Sequence, residues 1–265
     1  MKREELIDCF QDTLQMSEKG KIKKATMASV KSNRVYRENF VSKRNSEHEW
    51  GEIVVCEGTT LNMAKMYGMM DKVAVLNFAN PVNPGGGVTV GAMAQEECLC
   101  RSSNLYKCIS HQNVYGEYYA YHQRRGDHLY SDRLIYTENV VVFKNDDPVP
   151  SLLPKKQWFQ VDVITCAAPY LQKGVYVEAL SLLYLFKSRI KNIFEAAREH
   201  KVKVIVLGAF GCGAFHNPPE IVAEAFRQVI QEENYLNSFK TIVFAIKPTG
   251  DHCPNLEAFR QRFFG

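Results

Sequence analysis

From residue 52 onward, short runs of apolar residues alternate with segments in which apolar residues recur at helical spacing. The short runs predict strands at residues 53–56, 73–78, 140–143, 161–167, 202–207 and 241–246. Two of them, VAVLNF and VIVLGAF, are apolar almost throughout, which is typical of strands that are covered on both faces. The pattern therefore indicates a buried sheet that is largely parallel or mixed.

The segments between these runs predict helices at residues 60–70, 91–109, 177–200, 219–233 and 254–263. Strands that alternate with helices in this way favour the α/β class. In the first 50 residues, Leu6, Cys9, Phe10 and Leu14 fall at helical spacing. Because no Pro- or Gly-rich linker follows them, we expect residues 1–50 to form a helical extension packed on one domain of residues 51–265.

Composition narrows the function classes only slightly. With 265 residues, of which 46% are apolar, the chain can bury a sizeable core, and its net charge of +4 is compatible with an anionic substrate. None of the eight cysteines forms a CxxC pair or lies near histidines at zinc-ligand spacing, so no metal site is expected. The sequence shows neither a signal peptide nor a run of about 20 apolar residues. We therefore expect an intracellular, cytoplasmic protein with no membrane partner; a eukaryotic source would also allow a nuclear location.

Residues 80–97, NPVNPGGGVTVGAMAQEE, combine a glycine loop with a pair of acids. Gly85, Gly86 and Gly87 can adopt positive φ and let a ligand approach backbone N–H groups. The adjacent carboxylates of Glu96 and Glu97 would bring acid chemistry to that ligand. The alternative is a solvated helix face, with Glu97 paired to Arg101 four residues later.

Residues 204–219, VIVLGAFGCGAFHNPP, predict a strand, a second glycine loop and the start of a helix. Asn217 would cap the helix and Pro218 and Pro219 would begin it. Free N–H groups and the positive end of the helix dipole converge at such a place, which favours an anion site. The alternative is a tight turn between strand and helix with no ligand.

Taken together, these motifs resemble those of microbial-type poly(ADP-ribose) glycohydrolases, which are macrodomain enzymes. The resemblance lies in GGG followed after seven residues by QEE, in the flanking VLNFAN, and downstream in YSDRLIYTENVVVF, VDVITCAAP and LGAFGCGAFHNPP. It runs from about residue 52 to the C-terminus. The resemblance implies a macrodomain-like three-layer α/β/α fold, hydrolysis of the ribose–ribose bond of poly(ADP-ribose), and no metal or redox cofactor.

The resemblance also implies roles for individual residues. Glu97 would be the catalytic acid, Glu96 would hold the ribose hydroxyls, Gln95 would contact or support the same pocket, and Asn80 would orient the ribose whose bond is broken. Phe215 would pack near the distal ribose. The loops around the substrate would consist of Gly85, Gly86 and Gly87, and of Gly208, Ala209, Gly211, Cys212, Gly213, Ala214 and Phe215, the second set wrapping the diphosphate.

Other residues are open to two interpretations. Glu57 loosely matches an acidic residue that macrodomains place against adenine, but a surface turn is the alternative. Tyr170 stands where a smaller polar residue is expected, which affects the outer rim of the pocket. The basic run Lys19, Lys21, Lys23 and Lys24 could hold a polyanion or be a solvated helix end. No role is assigned to His111, His122 or His128.

Three functions remain open at this stage. The first is a poly(ADP-ribose) glycohydrolase, whose partners are poly(ADP-ribose) or an ADP-ribosylated macromolecule and whose product is ADP-ribose. The second is a mono-ADP-ribosyl hydrolase that acts on modified protein or nucleic acid. The third is a non-catalytic module that binds ADP-ribose, against which the intact QEE triplet argues.

Overall fold

A computed structural model describes residues 2–44, 50–171, 175–248, 250 and 252–265. These residues form a sheet of seven strands in the order β1-β4-β5-β3-β6-β7-β2. The strands are β1 (Arg34–Tyr36), β2 (Glu52–Glu57), β3 (Val73–Phe78), β4 (Leu134–Val142), β5 (Phe159–Cys166), β6 (Val204–Leu207) and β7 (Thr241–Ile246). β4 runs antiparallel to β1 and β5, and the other neighbours are parallel, so the predicted mixed sheet is confirmed.

All six predicted strands are present, but two details of the sheet were not predicted. β4 begins at Leu134 rather than at residue 140. The prediction missed the first part of this strand because the strand contains a bulge, at which the pairing register shifts between Thr137 and Val140. Asn139 has a φ of 57° at this bulge and interrupts the apolar pattern. β1 has only three residues and follows a basic helix, so its sequence carries no strand signal of its own.

Ten α-helices occur in the described residues. They are α1 (Arg3–Ser17), α2 (Gly20–Ser32), α3 (Thr60–Tyr67), α4 (Gln95–Ser102), α5 (Leu105–Ile109), α6 (Gln112–Tyr115), α7 (Tyr119–Arg125), α8 (Ala179–Glu199), α9 (Pro219–Glu232) and α10 (Pro254–Phe264). The prediction of one helix over residues 91–109 was wrong. Gly91 has a φ of 73° and ends a 3₁₀ turn, so α4 begins only at Gln95, and the extended backbone of Ser103 separates α4 from α5.

The sheet is covered on both faces, which gives the predicted three layers. Alternate residues of β3 show this: Ala74 and Leu76 belong to the core beneath α8, α9 and α10, whereas Val73 and Val75 belong to the core beneath α1, α3, α4 and α5. Both cores are closed to solvent. None of the helices in the described parts of the chain has the length and apolar character of a membrane span.

The N-terminal extension is part of the second of these cores. Phe10 of α1 is fully buried and meets the ring of Tyr106 edge-on, at 5.0 Å between centroids. Thr13 donates a hydrogen bond of 2.6 Å to the carbonyl of Arg101 at the end of α4. The extension is not purely helical as predicted, because β1 joins the sheet. The boundary proposed at residue 50 falls beside residues 45–49, which lie outside the described residues.

If α1 is an integral part of the core, Phe10→Ala should lower the free energy of unfolding by about 3–5 kcal/mol, the usual cost of removing a fully buried phenylalanine ring. Phe264→Ala is the matched control, since that ring is 62% exposed and its loss should cost no more than about 0.5 kcal/mol. Denaturant unfolding of both variants measures the difference. Equal, small losses would show that α1 is only loosely attached.

Candidate active site

A pocket of about 540 Å³ lies beyond the carboxyl ends of the parallel strands β3, β6 and β7. This is where α/β sheets place their ligands, and the volume is that of a typical small-molecule site. Most of its wall comes from the loop after β3, the first turn of α4 and the loop after β6. Residues 80–91 are called the first glycine loop below, and residues 208–217 the second.

Glu96 and Glu97 lie in the first turn of α4 and both line the pocket. Their side chains are almost fully buried, with 2% and 6% of the surface exposed. The ion pair with Arg101 expected for a solvated helix face is not formed, because Arg101 donates instead to the carbonyl of Ala92 and to the Cys98 sulfur. The interpretation of this pair as a surface feature was therefore wrong.

Hydrogen bonds from β3 and from the first glycine loop hold Glu96 in place. Its Oε1 accepts from Asn77 Nδ2 and from the Gly85 N–H, both at 3.3 Å, and its Oε2 accepts from the Asn80 N–H at 2.7 Å. Burial raises the pKa of Glu96 to about 8, and the nearby charge of Glu97 adds to this rise, whereas the three donors oppose it. Below about pH 8 the carboxyl is therefore protonated, and its O–H, which none of these three donors engages, remains for a ligand.

Glu97 is held differently. Its Oε1 accepts a 2.9 Å hydrogen bond from the Gly87 N–H. Its Oε2 is buried and has no hydrogen-bond partner among the described residues. A buried polar atom without a partner is unfavourable, and at the wall of a pocket it is a natural contact for a bound ligand.

The first glycine loop is shaped around these two carboxylates. Gly85 and Gly86 have φ of 72° and 57°, as the triplet suggested, whereas Gly87 does not adopt positive φ. A Cβ on Gly86 would lie 2.5 Å from Glu97 Oε1, so only glycine fits there. The N–H groups of all three glycines bond to acceptors within the protein, namely Glu96, Asn83 and Glu97. In this structure the loop thus holds the acids rather than presenting free N–H groups.

The second glycine loop shows the opposite arrangement. The N–H groups of Gly211, Gly213, Ala214 and Phe215 have no acceptor among the described residues, and all four of these residues line the pocket. Adjacent backbone N–H groups without partners form a concave site for anions. Ala209 also lines the pocket, whereas Gly208 and Cys212 lie behind the wall. Gly208 is needed there because a Cβ would meet the carbonyl oxygen of Ala245 at 2.7 Å.

Asn217 does not cap α9 as predicted, because Pro218 occupies the capping position. Its side-chain amide instead donates to the carbonyls of Pro169 and Gly211, at 2.8 and 2.9 Å. Asn217 therefore fixes the shape of the second glycine loop. That role depends on Pro169, 48 residues earlier in the chain, and could not be derived from local capping rules.

Gln95 and Asn80 support the pocket in distinct ways. β3 pairs with β6 only as far as Val75, and the Gln95 side chain bonds to the backbone of β3 past that point. Gln95 accepts from the Phe78 N–H at 2.8 Å and donates to the Leu76 carbonyl at 2.7 Å. This anchors the start of α4 to the sheet. Asn80 lies two residues past the end of β3, and its Oδ1 accepts from the N–H groups of Val82 and Asn83. These bonds leave its Nδ2 available at the pocket wall.

Several polar residues of the site were missed from the sequence, among them Asn77 and Asp146. Asn77 is fully buried within the apolar run VLNF and contacts both Glu96 and Thr165, its neighbour on β5. A polar residue inside a buried strand was a usable signal. Asp146 reaches the far end of the pocket, near Lys247, from the irregular segment after β4. Burial raises the pKa of Asp146. No motif marks this residue.

The remaining candidates lie outside the pocket. Glu57 is exposed at the end of β2 and does not line it, which agrees with the surface-turn interpretation. Tyr170 packs against Phe215 at 5.1 Å between ring centroids, just behind the rim. His122 lies on α7 and is buried beside Ser131, and burial lowers its pKa to about 4. No cluster of His, Cys, Asp and Glu side chains suited to a metal ion occurs within the described ranges.

Comparisons with known proteins agree on one family. The family model of the microbial-type PARG catalytic domain matches residues 3–145. PARG stands for poly(ADP-ribose) glycohydrolase. The match thus includes the N-terminal helices, which the sequence motifs did not reach. A comparison with curated proteins finds no match.

Solved structures of poly(ADP-ribose) glycohydrolases also resemble the chain closely. One from Thermomonospora curvata is 33% identical with a TM-score of 0.89, over 97% of this chain and 99% of that chain. The same enzyme bound to the inhibitor ADP-HPD is 32% identical, with a TM-score of 0.84 over the same shares. One from Deinococcus radiodurans in complex with ADP-ribose is 30% identical, with a TM-score of 0.79 over 89% and 96%.

The raised pKa of Glu96 predicts a pH-dependent stability. Between pH 4.5 and about 8 the unfolded carboxyl ionises while the folded one stays protonated, so the folded state loses stability as pH rises, on the order of a few kcal/mol. Glu96→Gln cannot titrate. The unfolding free energy of the wild type minus that of Glu96→Gln should therefore fall steadily from pH 5 to pH 8 in denaturant titrations. A difference that rises with pH would mean that the N–H donors keep Glu96 ionised.

Proposed function

Because the chain belongs to the family of microbial-type poly(ADP-ribose) glycohydrolases, we propose that it hydrolyses the ribose–ribose O-glycosidic bond of the polymer and releases ADP-ribose. The reaction would take place in the pocket beyond β3 and β6, and Glu97 and Glu96 would carry it out. One observation carries the assignment. Two buried, adjacent carboxyls line the pocket, and only Glu97 has an oxygen with no partner among the described residues. The fixed carboxyl suits binding and the free one suits proton transfer.

In the proposed reaction, Glu97 donates a proton to the oxygen of the leaving ribose as the bond to the anomeric carbon breaks. The oxocarbenium-like species is then attacked by water, and the Glu97 carboxylate accepts the proton of that water. The products are ADP-ribose and a chain that is shorter by that unit, and Glu97 returns to its starting state. Most glycosidases use two catalytic carboxylates, whereas here one residue serves both steps.

The proposed role of Glu96 is to position the ribose. Its O–H can donate to a ribose hydroxyl, while its other positions stay bonded to Asn77, Gly85 and Asn80. Asn80 adds the free amide donor. Because these contacts are fixed before the substrate binds, the entropy of orienting the ribose is lost on binding rather than in the reaction step.

The proposed site for the diphosphate is the second glycine loop. It offers four unpaired N–H groups close to the beginning of α9, and both features attract phosphate. Phe215, at the same loop, supplies an apolar surface for the distal ribose. The first glycine loop takes part indirectly, by holding Glu96 and Glu97. Gln95, Gly208 and Cys212 support the walls.

A mono-ADP-ribosyl hydrolase would break a bond at the same anomeric carbon, and assays with labelled polymer and with mono-modified protein or DNA distinguish the two activities. A non-catalytic module would not need a buried carboxyl with an unengaged oxygen. We also propose an intracellular, cytoplasmic location, since all eight cysteines are free thiols, the state that a reducing compartment maintains.

The assignment of the two carboxyls predicts unequal effects of their amide variants. Glu97→Gln removes the proton carrier but keeps the shape, so turnover of poly(ADP-ribose) should fall by at least about 10²–10⁴-fold while ADP-ribose affinity stays close to that of the wild type. Glu96→Gln should weaken binding as well. The glutamine replaces one carboxyl oxygen, which accepts hydrogen bonds, with an NH2 group, which would face the N–H donors of the first glycine loop without an acceptor between them. Rates and calorimetric titrations on both variants test this. A Glu97→Gln enzyme with more than about a tenth of normal activity would refute the assignment.

The different hydrogen bonding of the two glycine loops predicts that alanine substitutions in them affect different properties of the enzyme. In Gly86→Ala the new methyl group meets Glu97 Oε1, so kcat should fall more than ADP-ribose affinity. In Gly211→Ala the methyl meets Asn217 Nδ2, and a φ of +78° is strained for alanine, so affinity should fall first. The kcat and the ADP-ribose affinity of each variant must be expressed per folded molecule. Equal losses of affinity in the two variants would contradict the division of roles.

A further inference from the structure

A second cleft, of about 390 Å³, lies on the N-terminal extension, between the end of α1, α2 and α5. Its charged lining consists of Lys23 and Lys31 of α2, Lys107 of α5 and Glu18, with His111 at one side. Nothing in the proposed reaction uses this cleft. Three lysines converge from two separate helices on one concavity, which a solvated helix face alone does not explain.

The positive charge of the cleft is only partly balanced. Glu18 pairs with Lys107 at 2.5 Å. Lys23 and Lys31 lie on one face of α2, eight residues apart. Neither forms an ion pair with a described residue, although the hydrogen bond from Lys107 and, to a smaller extent, the charge of Lys23 lower the pKa of Glu18. No acidic residue occurs from Lys19 to Arg37. Like charges gathered around a concave surface produce a positive potential that attracts an anion.

The floor of the cleft is apolar. Met27 lies between Lys23 and Lys31 on the same face of α2, with 55% of its surface exposed, and Val30 lies beside it. A methionine side chain adapts to a flat ring and makes favourable contacts with aromatic groups. An apolar floor beneath an ammonium rim matches a nucleotide, whose base would lie on the floor and whose phosphates would contact the lysines.

The cleft is also connected to the catalytic loop through α5. Tyr106 of α5 lies against Gly85, since a Cβ on that glycine would come within 2.7 Å of the ring. The next residue, Lys107, lines the cleft. Two consecutive residues of α5 therefore contact the first glycine loop and the cleft.

From these features we propose that the cleft is a second, non-catalytic binding site for an ADP-ribose unit of the polymer whose end is cleaved. This inference rests on the proposed function. Two sites joined by one ligand act through effective concentration, so the second site raises affinity for long chains and leaves the binding of single ADP-ribose in the pocket unchanged. The N-terminal extension would then select for polymer length.

The test compares two double variants that remove the same charge. Lys23→Gln with Lys31→Gln changes the cleft, and Lys155→Gln with Lys156→Gln changes two exposed lysines that line neither cavity. In the Glu97→Gln background, the Kd for long polymer should rise about tenfold in the cleft variant alone, with a weaker dependence on salt. The Kd values for ADP-ribose and for a two-unit chain should match the control.

Equal polymer affinity in the two double variants would overturn the proposal. So would single-stranded DNA that binds the cleft as tightly as the polymer, because the site would then be one for nucleic acid. The proposed function is tested separately, by turnover in the otherwise wild-type protein. An enzyme that cleaves polymer with the same KM at every chain length retains its function and refutes the second site.

Discussion

The burial of two adjacent carboxyls at the start of α4 is the constraint around which the site is built. A buried carboxyl must be hydrogen-bonded, or it becomes protonated or unfolds its surroundings. Glu96 meets this need with donors from β3 and from the first glycine loop, and Glu97 with the Gly87 N–H. The loop can supply these donors only if its backbone folds tightly over both side chains, and this closeness excludes a Cβ at Gly86. Gly86 is thus a consequence of the buried acids, whereas a Cβ would meet Tyr106 at Gly85 and Ala92 at Gly87.

This constraint gives the two glycine loops different hydrogen-bonding patterns, although both are rich in glycine. Backbone N–H groups can serve the protein or a ligand, but not both with full strength. Those of Gly85, Gly86 and Gly87 are used internally, whereas those of Gly211, Gly213, Ala214 and Phe215 are not. We infer that the first loop fixes the position of the acids and that the second loop binds the diphosphate. Counting N–H groups that are already bonded separates the roles, which glycine content alone cannot do.

Most of the framework could be predicted from the sequence, because the apolar runs that form β3, β5, β6 and β7 leave few alternatives to a buried sheet. The acids and glycines could be placed at one edge of the sheet for the same reason. What failed depended on contacts between distant parts of the chain. The predicted helix over residues 91–109 is divided by Gly91 and Ser103, and Asn217 turns away from α9 toward Pro169. Asp146 enters the pocket from a segment with no pattern, so only the tertiary structure reveals it.

The N-terminal extension shows how strongly the site depends on parts of the chain that carry none of its motifs. Phe10 packs on Tyr106, and Tyr106 packs on Gly85, so a ring on α1 supports the loop that holds Glu96 from its far side. The backbone carbonyl of Arg3 similarly lies against Gly91, where the same loop ends. A close-packed interior transmits displacements of this kind, because no free volume absorbs them. The family match that begins at residue 3 is consistent with this dependence, since it covers both α1 and the first glycine loop that α1 supports.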